Sequence, residues 1–218
     1  MEPEELLKKY NIDLESLKKE QIKLARNLEI KDKINFSLVE TYGAIDNIFI
    51  KNKILSCIIV CNKDFEVIDR AYVFEKVKFP YIAGFRNYRE LEPMIMAFEK
   101  LNEKPDVVFI QAHGLTHPRL GLASHFSLST GVPAIGISNV LVEDETKDGD
   151  IIRENKKIGK VLISKKESKP MFVSPGNLIT IDTAYEISKN LIIPPHKRPE
   201  PIHLASKYSK KVKKELLI

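Results

Sequence analysis

The sequence predicts one α/β domain over residues 1–218, with a mixed sheet of three antiparallel strands followed by parallel strands, flanked by helices. Two patterns lead to this prediction. Residues 36–79 hold three strand-like segments joined by short polar turns, which is typical of an antiparallel meander. Further on, unbroken apolar runs within 106–112 and 133–142 alternate with helical segments, as in parallel strands that are buried on both faces. A chain of 218 residues, 43% hydrophobic and 30% charged, can form one sizeable core.

The elements follow from local patterns in chain order. Residues 3–30 have the pattern of a surface helix that is interrupted near Asn11 and Asp13. The three strands cover 36–50, 54–62 and 65–79, and a loop at 80–87 leads to a helix over 88–104 with Pro93 near its first turn. A strand over 106–112, a short helix closed by Gly131 and a strand over 133–142 come next. The remaining predicted elements are a charged loop or rim hairpin at 143–157, strands at 160–165 and 171–175, and helices over 178–192 and 202–217.

Composition excludes a membrane span, since no apolar run reaches the roughly 18 residues that a span needs. The charged N-terminus does not have the pattern of a signal peptide, so we expect a cytoplasmic monomer with no membrane partner. A net charge of +5 permits nucleic-acid binding without demonstrating it. Abundant Lys, Glu and Ile with only two glutamines favour a thermophilic source.

Polar residues gather just after the apolar run at 107–110, where open α/β sheets usually hold a ligand. The polar side chains are those of Gln111, His113, His117, Arg119 and His125, with Gly114 and Pro118 between them. Two other interpretations remain open: a capped turn with incidental histidines, and a zinc site made by His113, His117 and His125.

Three carboxylates on separate elements are candidates for an oxygen-ligand Mg²⁺ site. Asp46 lies inside an apolar strand, where a carboxylate is costly unless it is paired or bound to a metal. Glu90 and Asp182 lie near predicted helix starts. Each also has an ordinary interpretation: Asp46 on a solvent face, and the other two as acids favoured in a first helical turn.

The loop from Pro80 to Phe85 carries two aromatic residues between a strand and a helix. Aromatic loops of this kind stack on unpaired bases or wedge into a duplex. They also serve as lids over a core, and the sequence favours neither interpretation.

The strand order matches the ribonuclease H-like arrangement, and four stretches resemble the endonuclease V family, which cleaves 3′ to deaminated purines with Mg²⁺ or Mn²⁺. They are AIDN at 44–47, PYIAGFRNYRELEP at 80–93, AHGLTHPRLGLASH at 112–125 and SPGNLITIDTA at 174–184. The third stretch is long and specific, and the likeness extends over nearly the whole chain. The resemblance to this family implies that the partner is DNA or RNA containing deaminated bases.

The resemblance also implies residue roles. Asp46 and Glu90 would bind the metal ion and carry the catalysis, with Gln111 as a third ligand, while His117 and Asp182 would be the active-site histidine and acid. Tyr81 and Ile82 would separate the strands. Gly84, His113, Gly114 and Arg119 would line the site that receives the base.

Four positions depart from the family pattern. Gln111 stands where the family has a metal-binding aspartate, Asn139 where members often have lysine, and Asn177 where they have histidine. Ala83 replaces the proline of the wedge. The expected function is therefore a metal-dependent endonuclease of weakened activity, and the alternative is a catalytically lapsed relative that binds nucleic acid or a protein without cleavage.

Overall fold

The computed structural model describes residues 3–142, 144–165 and 168–217. In chain order the elements are α1 (Pro3–Tyr10), α2 (Leu14–Ala25), a 3-10 turn (Phe36–Leu38), β1 (Thr41–Ile50), β2 (Lys53–Asn62), β3 (Val67–Lys76), α3 (Arg86–Glu99), β4 (Val107–Ile110), α4 (Leu122–Thr130), β5 (Ala134–Ser138), β6 (Glu145–Lys147), β7 (Asp150–Arg153), β8 (Lys156–Leu162), β9 (Met171–Asn177), α5 (Ile181–Asn190) and α6 (Glu200–Leu216). The predicted interruption of the N-terminal helix is confirmed, because the Asp13 side chain caps α2 by accepting from the backbone N–H groups of Glu15 and Ser16. In the described part of the chain, no helix has the length and apolarity needed to cross a membrane.

All strands join one sheet of order β3-β2-β1-β4-β5-β9-β8-β7-β6. The first three strands are antiparallel, as predicted, and β1–β4 and β4–β5 are the parallel pairs. The directions of the last strands, which the sequence left unassigned, are antiparallel: β9 is antiparallel to β5, and β6 to β9 form a second antiparallel meander. The short connections from β6 to β9 permit only antiparallel neighbours, because a parallel pair needs a crossover of a dozen residues or more. The charged excursion is the β6–β7 hairpin; its first residue, Glu143, lies outside the described residues.

Two predicted boundaries differ from the structure. Phe36–Leu38 is a 3-10 turn instead of strand, because the Asn35 side chain accepts from the backbone N–H of Ser37 at 3.1 Å and bends the chain. Helix α3 begins at Arg86, so Pro93 lies inside the helix and not in its first turn. The residues before Tyr88 are drawn into α3 by tertiary contact, since the Asn87 Nδ2 donates to the Leu120 carbonyl at 2.9 Å.

Helices cover both faces of the sheet. On one face α3 and α4 pack through Met94, Phe98 and Phe126 onto Ile58 and Val108. On the other face α5 and α6 pack onto the sheet through a second core, which contains Ala44, Phe109, Ile135, Ala184 and Ile202. Burial from both sides explains why β4 is an unbroken apolar run, since neither of its faces meets water.

Strand β1 is longer than its parallel neighbour β4, and this difference creates the site. The last β1–β4 pair is Ile45 with Ile110. Asp46 and Gln111 follow immediately, at the point where β4 ends and β1 continues to Ile50. Side chains from both helical layers can meet in this notch, because no strand closes it.

Candidate active site at the end of strand β4

A cavity of about 210 Å³ occupies the notch, and we call it the carboxylate cavity. Its lining residues are Ile45, Asp46, Asn47, Arg86, Glu90, Met94, Ile110, Gln111 and Leu122. The structure therefore brings Asp46, Glu90 and Gln111 together, as predicted, from β1, from α3 and from the end of β4.

Asp46 is half-buried, and both of its carboxylate oxygens are hydrogen-bonded. Oδ1 accepts from Gln111 Nε2 at 3.0 Å, and Oδ2 accepts from the Ser209 hydroxyl on α6. Burial raises the pKa of Asp46, while the bond from Ser209 and the charges of Lys210 and Arg198 act in the opposite direction. Asp46 therefore does not lie on an open solvent face of the strand.

Glu90 is 3% exposed, and its charge is matched by a guanidinium one helical turn earlier. Arg86 donates from Nε to Oε1 at 2.7 Å and from Nη2 to Oε2 at 2.9 Å. The Asn47 Nδ2 donates to Oε2 as well, at 3.0 Å. This two-pronged pair raises the pKa of Arg86, despite its burial, and compensates the buried carboxylate.

A second guanidinium reaches the cavity through Gln111. Arg198, in the connector before α6, donates from Nη1 to Gln111 Oε1 at 2.7 Å. Gln111 therefore links Arg198 to Asp46, because its Oε1 accepts from Arg198 and its Nε2 donates to Asp46. Sequence reasoning missed Arg86, Arg198 and Ser209; only Arg86 had a signal, its helical spacing of four residues from Glu90.

A larger cavity of about 620 Å³ adjoins the first, and we call it the loop pocket. The two cavities share Arg86 and Leu122. The other lining residues of the loop pocket are Tyr81, Ala83, Gly84, Asn87, Ala112, His113, His117, Pro118, Arg119, Ser138, Val140 and Val142. Five of the predicted residues therefore line this pocket, while Ile82 and Gly114 are not among its lining residues.

The loop before α3 depends on Gly84. Its φ of +79° lies in the left-handed region, and a Cβ there would lie 2.6 Å from Nη2 of Arg119. Its carbonyl accepts from Gln21 Nε2 at 3.1 Å and from Arg119 Nη2 at 3.2 Å. These bonds fix the loop that carries Tyr81 against α2 and against the loop after β4.

The histidines of the loop pocket are held by neighbouring groups. His113 lies 3.1 Å from Thr116 Oγ1 through Nδ1 and 3.3 Å from Ser138 Oγ through Nε2. The Nδ1 of His117 accepts from the Arg119 backbone N–H at 3.1 Å. Burial, and then the charge of Arg119, lower the pKa of His117 to about 4. His117 is therefore neutral near pH 7, and the bond at Nδ1 assigns its proton to Nε2.

Asp182 and His125 lie outside the linings of both cavities, so the predicted histidine trio is not brought together. Asp182 is 71% exposed and pairs with Lys160 at 2.7 Å and Lys157 at 3.1 Å, which lowers its pKa. His125 contacts Asn87 Nδ2 at 3.3 Å and does not join a three-ligand group with the other two histidines of the loop. The zinc alternative at these residues is therefore wrong.

Asn139 and Asn177 also lie outside both cavity linings. Asn177 is buried, and its Oδ1 accepts from the backbone N–H of Glu29 at 2.7 Å. It therefore anchors the segment after α2 to the end of β9. Asn139 is exposed just after β5.

Comparison with known proteins relates most of this chain to one family. The family model described as Endonuclease V matches residues 22–207. A relative named Endonuclease V from Thermosipho melanesiensis is 40% identical over 186 residues, covering 81% of this chain and 82% of that protein. Another, from Archaeoglobus fulgidus, is 34% identical over 212 residues, covering 94% and 96%.

Solved structures agree with the fold. Endonuclease V of Bacillus subtilis superposes with a TM-score of 0.85 at 26% identity, over 95% of each chain. Ciona intestinalis endonuclease V, in complex with a 24mer DNA containing an inosine followed by a ribo-adenosine, gives 0.84 at 25% identity, over 93% of this chain and 98% of that one. The predicted ribonuclease H-like class is confirmed by these likenesses.

Proposed function

The chain belongs to the endonuclease V family, and from this membership we propose that it hydrolyses nucleic acid 3′ to a deaminated purine. Its function is that of an endonuclease V: cleavage near deoxyinosine, in DNA repair. The observation that carries the finer proposal is the contact between the two cavities through Arg86 and Leu122. A base in the loop pocket would leave its neighbouring phosphates beside Asp46 and Glu90.

A divalent metal ion fits the donor set of the carboxylate cavity. Asp46, Glu90 and Gln111 offer carboxylate and amide oxygens, which Mg²⁺ and Mn²⁺ prefer. The buried Asn47 Oδ1 has no hydrogen-bond partner among the described residues, so the site holds one further oxygen in need of a positive partner. When bound, such an ion activates water and neutralises charge that develops on the phosphate.

The same cavity also explains why we propose weakened metal binding. Gln111 supplies an oxygen without a negative charge, and the guanidinium of Arg198 already donates to that oxygen at 2.7 Å. Both Glu90 oxygens accept from Arg86. An incoming cation must therefore compete with Arg86 for the oxygens of Glu90 and with Arg198 for the amide oxygen of Gln111. The Asp46 oxygens accept from neutral donors only.

The remaining residues bind and orient the substrate. Arg86 lines both cavities and is positioned to bind a phosphate while it compensates Glu90. His117, neutral and protonated on Nε2, offers a hydrogen-bond donor to a base or phosphate oxygen. Tyr81, which is 66% exposed at the rim of the loop pocket, provides an aromatic face for stacking in the gap left by a displaced base.

One experiment tests this function directly. The full chain is incubated with an end-labelled DNA duplex containing a single inosine, with Mg²⁺ or Mn²⁺, and with the matched duplex containing adenine. The RNA counterparts are assayed in parallel. We expect one product, from the inosine strand alone, and an absence of product at excess protein would contradict cleavage.

A second candidate function is binding of inosine-containing nucleic acid without cleavage. It is favoured by one observation: each potential ligand oxygen of Asp46, Glu90 and Gln111 already accepts a hydrogen bond from a protein donor. Gel-shift titration with the same duplexes separates the two. Selective binding without product would support the second candidate.

A further inference from the structure

His196, Glu200 and His203 form a polar cluster where the connector after α5 enters α6. One ligand atom from each residue lies within 4.8 Å of the other two. Within residues 3–142, 144–165 and 168–217, this is the only group of three His, Cys, Asp or Glu side chains that meets this geometry. The cluster lines neither the carboxylate cavity nor the loop pocket.

The chain geometry brings the three side chains to one side of the first turn of α6. Glu200 is the first residue of α6, and His203 follows three residues later on the same helical face. His196 reaches Glu200 from the connector, with Nδ1 at 2.6 Å from Oε2. The two imidazole rings stack with centroids 3.6 Å apart and planes at 19°. A nitrogen of each imidazole and a carboxylate oxygen therefore lie close together.

The burial of the cluster suits a bound cation. The Glu200 side chain is only 12% exposed and that of His196 is 33% exposed. A carboxylate withdrawn from water needs a positive partner, and an imidazole supplies one only while it is protonated. A metal ion would supply that charge with the histidines neutral.

We propose that His196, Glu200 and His203 bind a borderline transition-metal ion of the Zn²⁺ class, with water in the remaining position. Two histidines and a glutamate are an established zinc ligand set, in which ligand distances of about 2.0–2.2 Å put neighbouring donor atoms about 3.3 Å apart. To reach that spacing from within 4.8 Å, the side chains rotate so that the two stacked rings turn their nitrogens towards one ion. Imidazole nitrogen selects this class of ion, whereas the all-oxygen carboxylate cavity suits Mg²⁺ or Mn²⁺.

An ion at this position would fix the segment that delivers Arg198. The connector is already closed by the bond from the Glu200 N–H to the Leu191 carbonyl at 2.8 Å. Arg198 lies between the ligands His196 and Glu200 and donates to Gln111 Oε1 at 2.7 Å. The bound ion would therefore stabilise the connector in the conformation that holds Arg198 at the carboxylate cavity.

The test measures the binding of Zn²⁺ to the full chain, after removal of any metal and in the absence of nucleic acid. Zn²⁺ is titrated in competition with a chromogenic chelator, and Co²⁺ is used as a spectroscopic probe of the ligand set. We expect one ion per chain and a rise in melting temperature on zinc addition. His196→Ala and His203→Ala should each weaken binding by at least roughly tenfold to a hundredfold, and Glu200→Gln should weaken it as well.

Matched variants decide the location. His125→Ala removes an imidazole outside the cluster and should bind zinc as the native chain does, and circular dichroism checks the folding of each variant. The proposal is overturned if the native chain binds no zinc, or if the His196→Ala/His203→Ala double variant binds it equally well. If Asp46→Asn abolished zinc binding while the histidine variants retained it, the ion would lie in the carboxylate cavity, and the proposal would also be overturned. No step of this test depends on cleavage. A chain that binds no zinc could still be a nuclease, and a chain that does not cleave could still bind zinc.

Discussion

The carboxylate cavity and the loop pocket adjoin each other, but they differ in how far their lining atoms are already hydrogen-bonded within the protein. In the first, the side-chain oxygens of Asp46, Glu90 and Gln111 all accept hydrogen bonds from protein donors. In the second, Tyr81 and Val140 border an open volume of about 620 Å³ with exposed side chains. The first region must exchange internal bonds before it binds a cation, whereas the second already contains an open volume that a base can enter.

Under the proposed function, this difference predicts that recognition and cleavage depend on separable parts of the molecule. The loop pocket depends on loop geometry, as the close approach of Gly84 and Arg119 illustrates. The carboxylate cavity depends on charge balance between two carboxylates and two guanidiniums. Substitutions in one region should therefore alter one property and spare the other.

The largest expected effect is on cleavage, from Glu90→Ala. Removing a buried carboxylate of the proposed metal site should reduce the cleavage rate at least about 10²–10³-fold while binding to the inosine duplex is retained. Single-turnover cleavage and gel-shift titration measure the two properties. Glu92→Ala, on the same helix but exposed, is the matched control. Equal losses of binding and cleavage would contradict the separation.

Gln111→Asp should change cleavage in the opposite direction. A third carboxylate adds the negative charge that the site lacks, so the cleavage rate should rise by about 10²-fold and half-saturation should occur at lower Mg²⁺. The variant also removes the bond to Asp46 and puts two like charges together, so its melting temperature should fall without metal and recover with it. Gln111→Asn, which stays neutral, is the control; a gain in both variants would refute the charge argument.

Tyr81→Ala tests the loop pocket with a smaller effect. Loss of one stacking ring is worth about 1–3 kcal/mol per base, so cleavage of the inosine duplex should fall about tenfold while a single-stranded substrate is spared. Because the ring is exposed, the free energy of unfolding should change by less than about 0.5 kcal/mol. Tyr72→Ala, an exposed tyrosine on β3, is the control. An equal loss on both substrates would argue against strand separation.

The last comparison of the two regions concerns stability against pH and not cleavage. His117 has a pKa of about 4 in the folded chain against an ordinary 6.5, so the unfolded chain binds a proton first as pH falls through this window. The free energy of unfolding should therefore decrease from pH 6.5 towards 4, by at most about 1.4 kcal/mol per pH unit for this group. Urea titrations at several pH values should give a shallower slope for His117→Gln.

Asp46 should contribute with the opposite sign. Because burial raises its pKa in the folded chain, the folded state binds the proton at higher pH, and acidification towards 3.8 stabilises it. Asp46→Asn should therefore steepen the loss of stability on acidification in the same titrations. Identical slopes for the native chain and both variants would contradict these assignments.

Local patterns were sufficient to predict much of the fold. The antiparallel strands of 36–79, the buried run at 107–110 and the end of α4 at Gly131 depend on residues close together in sequence. The directions of β8 and β9 could not be predicted, because a short apolar run does not reveal which neighbour it pairs with.

The candidate site was predicted in part. The family resemblance identified Asp46, Glu90 and Gln111, and the notch brings them together. Arg198 lies 87 residues from Gln111, and Ser209 lies 163 residues from Asp46, so no local periodicity relates them. The spacing of His196, Glu200 and His203 is visible in the sequence. The zinc hypothesis was instead placed on the three histidines between Gln111 and Phe126.

The carbonyl of Gly84 links the loop of Tyr81 to the N-terminal helix α2 through the fully buried Gln21. The Tyr88 hydroxyl strengthens the link by donating to the Leu17 carbonyl at 3.1 Å. A duplex that displaces the loop must loosen these bonds, so amide hydrogen exchange in residues 17–21 becomes a remote reporter of substrate engagement. The change in hydrogen exchange can be measured even if the chain binds nucleic acid without cleaving it.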